Sequence, residues 1–212
     1  MTTQLLQRAL AMEAERAAAN THWHAGKVSA ETRDRQLGLR PATIWLTGLS
    51  GAGKSTVAYE LEHLLVAEGR PAFVLDGDNL RHHLNRDLGF SAEDRRENIR
   101  RSAEVAKLMN DAGLIVIGAF ISPSRADRAL AGQIIGPAHF IEVHLSTPLS
   151  VCEARDPKGL YAKARAGQIP GFTGVSAPYE APLAPALTLD TAALSLSDAT
   201  AALHAHLCER LR

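Results

Sequence analysis

Several things are scarce in this chain. It has two cysteines in 212 residues, Cys152 and Cys208, and no C-x-x-C spacing. That excludes a disulfide framework and a thiolate zinc site, and it fits a reducing cytoplasm. Neither sign of charge is in excess, with 23 Lys and Arg against 23 Asp and Glu. Non-specific nucleic-acid binders carry a basic surplus, so nucleic acid is not an expected partner. No apolar run approaches the roughly 20 residues that span a bilayer, so no membrane contact is expected. Met1-Thr2-Thr3-Gln4-Leu5-Leu6 lacks the basic start and apolar run of a signal peptide. No internal repeat or low-complexity tract is found. What remains is 46% hydrophobic, enough for one α/β domain with a sizeable core.

The organising stretch is Gly48-Leu49-Ser50-Gly51-Ala52-Gly53-Lys54-Ser55-Thr56. An apolar run, Thr43-Ile44-Trp45-Leu46-Thr47, precedes it and reads as a buried strand. A helical pattern from Val57 follows. This is the strand–loop–helix context a P-loop requires. Glycines let successive amides point inward at phosphate oxygens, and the helix N-terminus adds partial positive charge. Lys54 suits the β- and γ-phosphates, and the Ser55 hydroxyl suits Mg²⁺.

Strands and helices alternate along the rest of the chain. Ala72-Phe73-Val74-Leu75 reads as a strand ending in Asp76-Gly77-Asp78-Asn79. In parallel sheets ligands sit beyond the carboxyl ends of strands, so Asp76 and Asp78 are candidates to face a phosphate and its metal. The competing reading is an ordinary Asx-rich turn. Ser91 reads as the N-cap of a long helix that stops near Gly113. Arg95, Asn98 and Ser102 share one of its faces. The competing reading of the arginines on this helix is a solvated face salt-bridged to Glu93, Glu97 and Glu104, which is the expectation for Arg100. Residues 114–120 form an apolar strand followed by Ile121-Ser122-Pro123. Ser124 to Ile135 reads as a helix, and Phe140 to Leu145 as a strand. Thr147-Pro148 reads as a cap with proline at the first helical position. Residues 156–178 carry Lys158, Lys163, Arg165 and glycines, as a closing lid with cations needs. Leu187-Thr188-Leu189 is a fifth strand, and Ser197-Asp198 reads as the cap of a last helix. The fold class is α/β: a P-loop NTPase fold, with a parallel five-stranded sheet and helices on both faces. Residues 1–40 read as a helical extension, with helix formers from Thr3 to Ala19 and a short charged helix from Ser29 to Leu37. Trp23 is expected to pack on the domain. His22 and His24, with no carboxylate or thiolate beside them, are not expected to bind metal. Residues 41–212 read as the kinase domain.

Beyond "small-molecule P-loop kinase", the chain resembles the adenylylsulfate kinase family from about Asn20 onward. The matching motifs are the P-loop; Leu75-Asp76-Gly77-Asp78-Asn79-Leu80-Arg81; Asp87-Leu88-Gly89-Phe90-Ser91; residues 94–101; Phe120-Ile121-Ser122-Pro123; Asp156-Pro157-Lys158-Gly159-Leu160-Tyr161; and Gly171-Phe172-Thr173-Gly174. The resemblance implies that Gly48 to Thr56, with Arg155, bind ATP. It places adenosine 5′-phosphosulfate on Asp78, Asn79, Arg81, Phe90, Arg95, Asn98, Ile121, Ser122, Lys158 and Phe172. Phe90 and Phe172 would sandwich adenine; Arg81 and Arg95 suit the phosphosulfate. The implied reaction moves the γ-phosphoryl of ATP to the 3′-hydroxyl, with Lys54 and Mg²⁺ neutralising charge. Asp76 or Asp78 would orient or deprotonate the hydroxyl. Family members are also described with a phosphoserine at the Ser122 position. A serine nucleophile needs an activating base, and none is adjacent in sequence, so substrate contact is the expected role.

Two positions depart from the family pattern: Ser124 stands where Tyr or Phe is common, and Pro170 where a lysine is common. The second removes a lid cation. The family is typically dimeric, so a homodimer is expected, with the N-terminal helix a candidate contact. The alternative is a P-loop kinase for another nucleotide or small alcohol, which has no reason to carry Phe90, Arg95, Asn98 and Phe172 together. A catalytically dead nucleotide binder would have lost Lys54, Ser55 or the aspartate pair.

Overall fold

The computed structural model describes residues 21–22, 24–38 and 40–211. The expected helix at Thr3–Ala19 and the expected packing of Trp23 lie outside them. Elements follow in the order α1 (Ala30–Leu37), β1 (Thr43–Thr47), α2 (Lys54–Ala67), β2 (Ala72–Asp76), α3 (Gly77–His82), α4 (Ala92–Asp111), β3 (Ile115–Ala119), α5 (Arg125–Ile135), β4 (Phe140–Leu145), α6 (Leu149–Arg155), α7 (Leu160–Arg165), β5 (Leu187–Leu189) and α8 (Leu196–Arg210).

The strands pair in parallel in the order β2-β3-β1-β4-β5. β1 and β3 are buried at every position, as continuous apolar runs covered on both faces should be. β4 alternates, with Ile141, Val143 and Leu145 inward. One apolar layer joins β1, β3 and β4 to α2 and α8 through Leu61, Leu65, Leu203 and Leu207. The other lies under α4 and α5, where Trp45 packs on Phe120 and Phe140 with ring centroids 4.5 and 5.9 Å apart. Each such large apolar side chain stabilises the fold by about 1.5–3 kcal/mol on burial.

Register brings Leu46 beside Ala119 and Asp76 beside Ala119's other flank. The carboxyl ends of β1, β2 and β3 therefore deliver the P-loop, Asp76 and Ile121-Ser122 to one edge of the sheet.

Helix caps follow short polar side chains. Ser29, Ser91, Ser124 and Ser195 each accept a backbone N–H from the first turn of the helix that follows. Two expectations and one competing reading need correction. The cap of α6 is Pro148, whose carbonyl accepts from Cys152 N, so proline precedes the helix instead of opening it. The cap of α8 is Ser195, two residues before the expected Ser197, with Asp198 supplying the N–H that Ser195 accepts. Asp76-Gly77-Asp78-Asn79 is not a loose turn but the start of α3, capped by the Asp76 carboxylate.

The outer face of α4 is salt-bridged through Glu97 and Glu104 as expected, while no salt bridge among the described residues involves Glu93. Arg100 pairs with Glu97 and Glu104, and Arg101 with Glu97 and Asp87. Hydrogen bonds from Arg100, then Arg101, hold the Glu97 carboxyl down at about 2. No helix among the described residues is long and apolar enough to cross a membrane. Among them, no group of three His, Cys, Asp or Glu side chains converges to hold a metal.

Candidate active site

The P-loop is moulded from behind. A Cβ at Gly48 would stand 2.6 Å from Leu145 O, and one at Gly51 would stand 2.9 Å from Cys152 O. Only glycine lets the loop lie that close to β4 and α6. The carbonyls of successive loop residues are each taken by a donor. Lys54 Nζ donates to Gly48 O and Leu49 O at 3.0 and 2.7 Å. The Tyr161 hydroxyl donates to Ser50 O, Arg155 to Gly51 O, and Thr191 Oγ1 to Ala52 O, at 2.9, 3.3 and 3.1 Å. With its carbonyls occupied by these donors, the loop leaves amide groups as its remaining backbone polarity, which is what an anion needs.

Lys54 opens α2 and is buried. Burial pushes its ammonium down to about 8, against the pull of Cys152, Asp78 and Asp76. An anionic phosphate would reverse that shift. Next to it, the Ser55 hydroxyl donates to Asp76 Oδ2 at 2.6 Å. Asp76 Oδ1 accepts the N–H groups of Asp78 and Asn79 at 2.9 and 3.2 Å. One buried carboxylate thus joins the start of α2 to the start of α3.

A single cavity of about 1010 Å³ runs in front of these groups. That is the upper end for one small-molecule site and leaves room for two nucleotides. Ser50, Gly51, Gly53, Lys54, Ser55 and Thr56 form one wall. Asp76, Asp78, Arg81, Phe90, Arg95, Asn98, Ile121, Ser122, Lys158 and Phe172 also line it, and Arg155 stands at the P-loop end. Gly48, Leu49 and Ala52 shape the loop without lining the cavity. Asn79 is turned aside, its Nδ2 donating to the Tyr59 hydroxyl at 2.9 Å.

The wall opposite the P-loop is held by side chains. Arg81 donates to Leu88 O and Gly89 O and lies over the Phe90 ring at 4.4 Å. Arg95 donates to Phe90 O, Thr173 Oγ1 and Gly171 O at 3.0, 2.8 and 2.8 Å. It thereby ties the loop before α4 to residues 171–173. Phe172 is buried edge-on against Tyr161, with centroids 5.0 Å apart. Lys158 pairs with Asp78 across the cavity. Of the cations expected to face the cavity from 156–178, only Lys158 does so. Arg165 is pulled outward by Glu153 at 2.7 Å, and Lys163 is not on the cavity wall.

Ser122 occupies a strained position at φ +37 and is buried. Arg128 donates to its carbonyl at 2.6 Å, and Thr47 donates to Ile121 O at 2.8 Å. The Ser122 hydroxyl accepts from Trp45 Nε1 at 3.2 Å. No carboxylate or imidazole is hydrogen-bonded to it among the described residues.

Some lining residues escaped the sequence. Thr191 Oγ1 bonds Ala52 O, accepts from Arg155 at 2.8 Å and meets the Thr147 hydroxyl at 2.9 Å. Leu194, Leu196 and Ala199 complete that apolar end. They lie far from the P-loop in sequence and match no local pattern; only the pairing of β4 with β5 brings them near.

The model of the adenylylsulphate kinase family matches residues 40–190. An adenylyl-sulfate kinase from Shewanella amazonensis is 60% identical over 169 residues, covering 80% of this chain and 85% of that protein. The solved APS kinase of Mycobacterium tuberculosis in complex with AMPPNP and APS superposes with a TM-score of 0.77. It is 50% identical, and the match covers 79% of this chain and 98% of that one. A hexameric APS kinase from Thiobacillus denitrificans matches with a TM-score of 0.63 and 32% identity, over 86% of this chain and 32% of that one. With a family match over most of its length, this α/β P-loop chain belongs to the adenylylsulphate kinase family.

Proposed function

We propose that the chain transfers the γ-phosphoryl group of ATP to the 3′-hydroxyl of adenosine 5′-phosphosulfate, giving 3′-phosphoadenosine 5′-phosphosulfate and ADP. The observation that carries this reading is one continuous cavity with a phosphate-binding loop on one wall and Arg81, Phe90, Arg95, Asn98 and Phe172 on the other. ATP lies along the P-loop, its purine toward Arg155, Leu194 and Ala199. The phosphosulfate meets Arg81 and Arg95, whose guanidinium groups suit oxyanions. Its adenine stacks between Phe90 and Phe172.

Catalysis here is positioning and charge stabilisation. Lys54, pointing into the cavity, neutralises charge on the transferring group. Ser55 and Asp76 offer hard oxygen donors side by side, which fits Mg²⁺; when bound, magnesium supplies charge neutralisation on the β- and γ-oxygens. Asp76 already accepts three hydrogen bonds, so Asp78 is the carboxylate that orients the attacking hydroxyl. Lys158, beside Asp78, brings the lid of 156–178 over the site. Ser122 contacts substrate, and transfer is direct, since Trp45 and Arg128 hold this residue without activating its hydroxyl. The unit is residues 41–212, with 1–40 as an extension, in a homodimer; a monomer at micromolar concentration in sedimentation equilibrium would refute the dimer.

The test is a coupled ADP-release assay with ATP and Mg²⁺, offering adenylylsulfate or AMP, on the native chain and Ser122→Ala. Turnover with adenylylsulfate alone is expected, retained within about tenfold in the alanine variant, as loss of one hydrogen bond implies. Equal turnover with AMP would leave a P-loop kinase of another acceptor.

A further inference from the structure

Asn85 lies between α3 and α4 and is fully buried. Its Nδ2 donates to Asn98 Oδ1 at 3.0 Å. Its own Oδ1 meets no donor. Buried polar atoms without a partner are few in folded proteins, and each one calls for a reason. Holding the loop is not that reason. The Asn85 backbone is already anchored, its N–H donating to Leu80 O at 2.8 Å and its carbonyl accepting from Leu88 N at 3.1 Å.

Asn98 is where the pair meets the cavity. It is on α4, nearly buried, and lines the cavity wall. Its carbonyl accepts from Ser102 Oγ at 2.7 Å, and its Oδ1 from Asn85. Its Nδ2 has no acceptor among the described residues. The opposite arrangement, with Asn98 donating to Asn85, would leave both N–H donors of the Asn85 amide buried and unpaired. The observed arrangement leaves one carbonyl and one N–H of Asn85 unpaired, and an unpaired carbonyl is better tolerated than a second unpaired N–H. The buried environment of Asn85 therefore sets which end of the Asn98 amide faces the cavity, and that end is a donor.

We infer that Asn85 is a positioning residue for the acceptor nucleotide: it fixes the Asn98 amide so that Nδ2 meets a hydrogen-bond acceptor on that ligand. A ligand presenting a donor at the same point is rejected, because the amide cannot rotate without stranding Asn85. The orphaned Oδ1 is the stability given up for that selectivity. This inference rests on the reading of the cavity as an adenylylsulfate site.

The experiment uses the full chain as native protein, Asn85→Leu, Asn85→Ala, Asn98→Ala and the Leu/Ala double variant. Adenylylsulfate is titrated calorimetrically with ADP present; ATP is titrated separately, and melting temperature is recorded. Either change at Asn85 should weaken adenylylsulfate binding about tenfold, the size of one lost hydrogen bond, and leave ATP binding within about twofold. Asn85→Leu should melt no lower than the native chain, because it removes an unsatisfied atom. The double variant should bind no worse than Asn98→Ala alone. Unchanged adenylylsulfate affinity in Asn85→Leu, alongside a weakened Asn98→Ala, would overturn the inference. So would additive losses, or equal losses for ATP. No binding of adenylylsulfate by the native chain would overturn the functional reading beneath it.

Discussion

The two walls of the cavity are built in different ways. The P-loop wall is mostly backbone and already saturated: Lys54 and Asp76 are 9% and 7% exposed, and each loop carbonyl from Gly48 to Ala52 has its donor. The opposite wall is side chain and open. Phe90 is 68% exposed, and Arg81 and Arg95 spend their donors on neighbouring carbonyls and a hydroxyl. The first wall is preorganised in its backbone, so a phosphate chain entering it has only the Lys54 and Ser55 side chains to draw from their present partners. The second is held together by contacts among its own members, which a ligand must exchange for contacts with itself. That wall pays for selectivity in rearrangement, and its residues should govern substrate affinity more than rate.

The largest expected effect falls on the preformed wall. Lys54→Met should lower kcat about a thousandfold, as loss of a preorganised cation does, with little change in melting temperature, because removing a buried charge offsets the two loop carbonyls left without a donor. Steady-state kinetics beside calorimetry reads both; a melting temperature lowered in step with activity would show that the lysine is structural. Next, Arg95→Ala should raise KM for adenylylsulfate by about ten- to a hundredfold, in line with hydrogen bonds from a charged donor. Its KM for ATP should stay within about twofold. Equal losses for both substrates would erase the distinction between the walls.

The pH response sharpens the comparison further. Lys54 in the free protein titrates at about 8 because of burial, and ATP needs it protonated. The ATP dissociation constant should therefore climb above pH 8, approaching about tenfold per unit, while adenylylsulfate affinity changes less. The stability of the free fold moves the other way. Between about 8 and the ordinary lysine value near 10.4 the unfolded chain binds the extra proton, so this group's contribution to stability grows with pH. Titrations of ATP and urea unfolding from pH 7 to 10 would show two opposite trends, and parallel trends would refute the assignment to Lys54. The smallest effect expected is at Thr191. Thr191→Val should raise KM for ATP about fivefold, consistent with lost neutral hydrogen bonds, and Thr191→Ser should restore it; no rescue by serine would mean that the methyl, not the hydroxyl, matters.

These contrasts also explain what was legible beforehand. Gly48 to Thr56 and the apolar runs at 43–47 and 114–120 are local patterns, and they gave the sheet and its phosphate loop directly. Lys54, Asp76 and Ser122 arrive at the cavity because each lies at or beyond the carboxyl end of a strand that stops there. Caps were harder: Ser195 and Ser197 are equivalent by propensity, and only the chain path after β5 chooses between them. The cations of 156–178 were indistinguishable in sequence, and Glu153 on α6 decided the fate of Arg165. Asp76 and Asp78 were equivalent candidates in sequence, and the three hydrogen bonds on Asp76 set them apart. Thr191 and Asn85 act through partners distant in sequence, on which no local spacing reports.

The close seating of Gly48 on Leu145 and of Gly51 on Cys152 has a consequence for portability. The loop's curvature is an imprint of β4 and α6, which lie about a hundred residues further along the chain and press on it from the side away from the cavity. A graft of the nine residues into another strand–helix junction would carry the glycines but not the mould. The transferable unit is the loop together with the end of β4 and the first turns of α6, and any redesign of donor preference has to move all three as one piece.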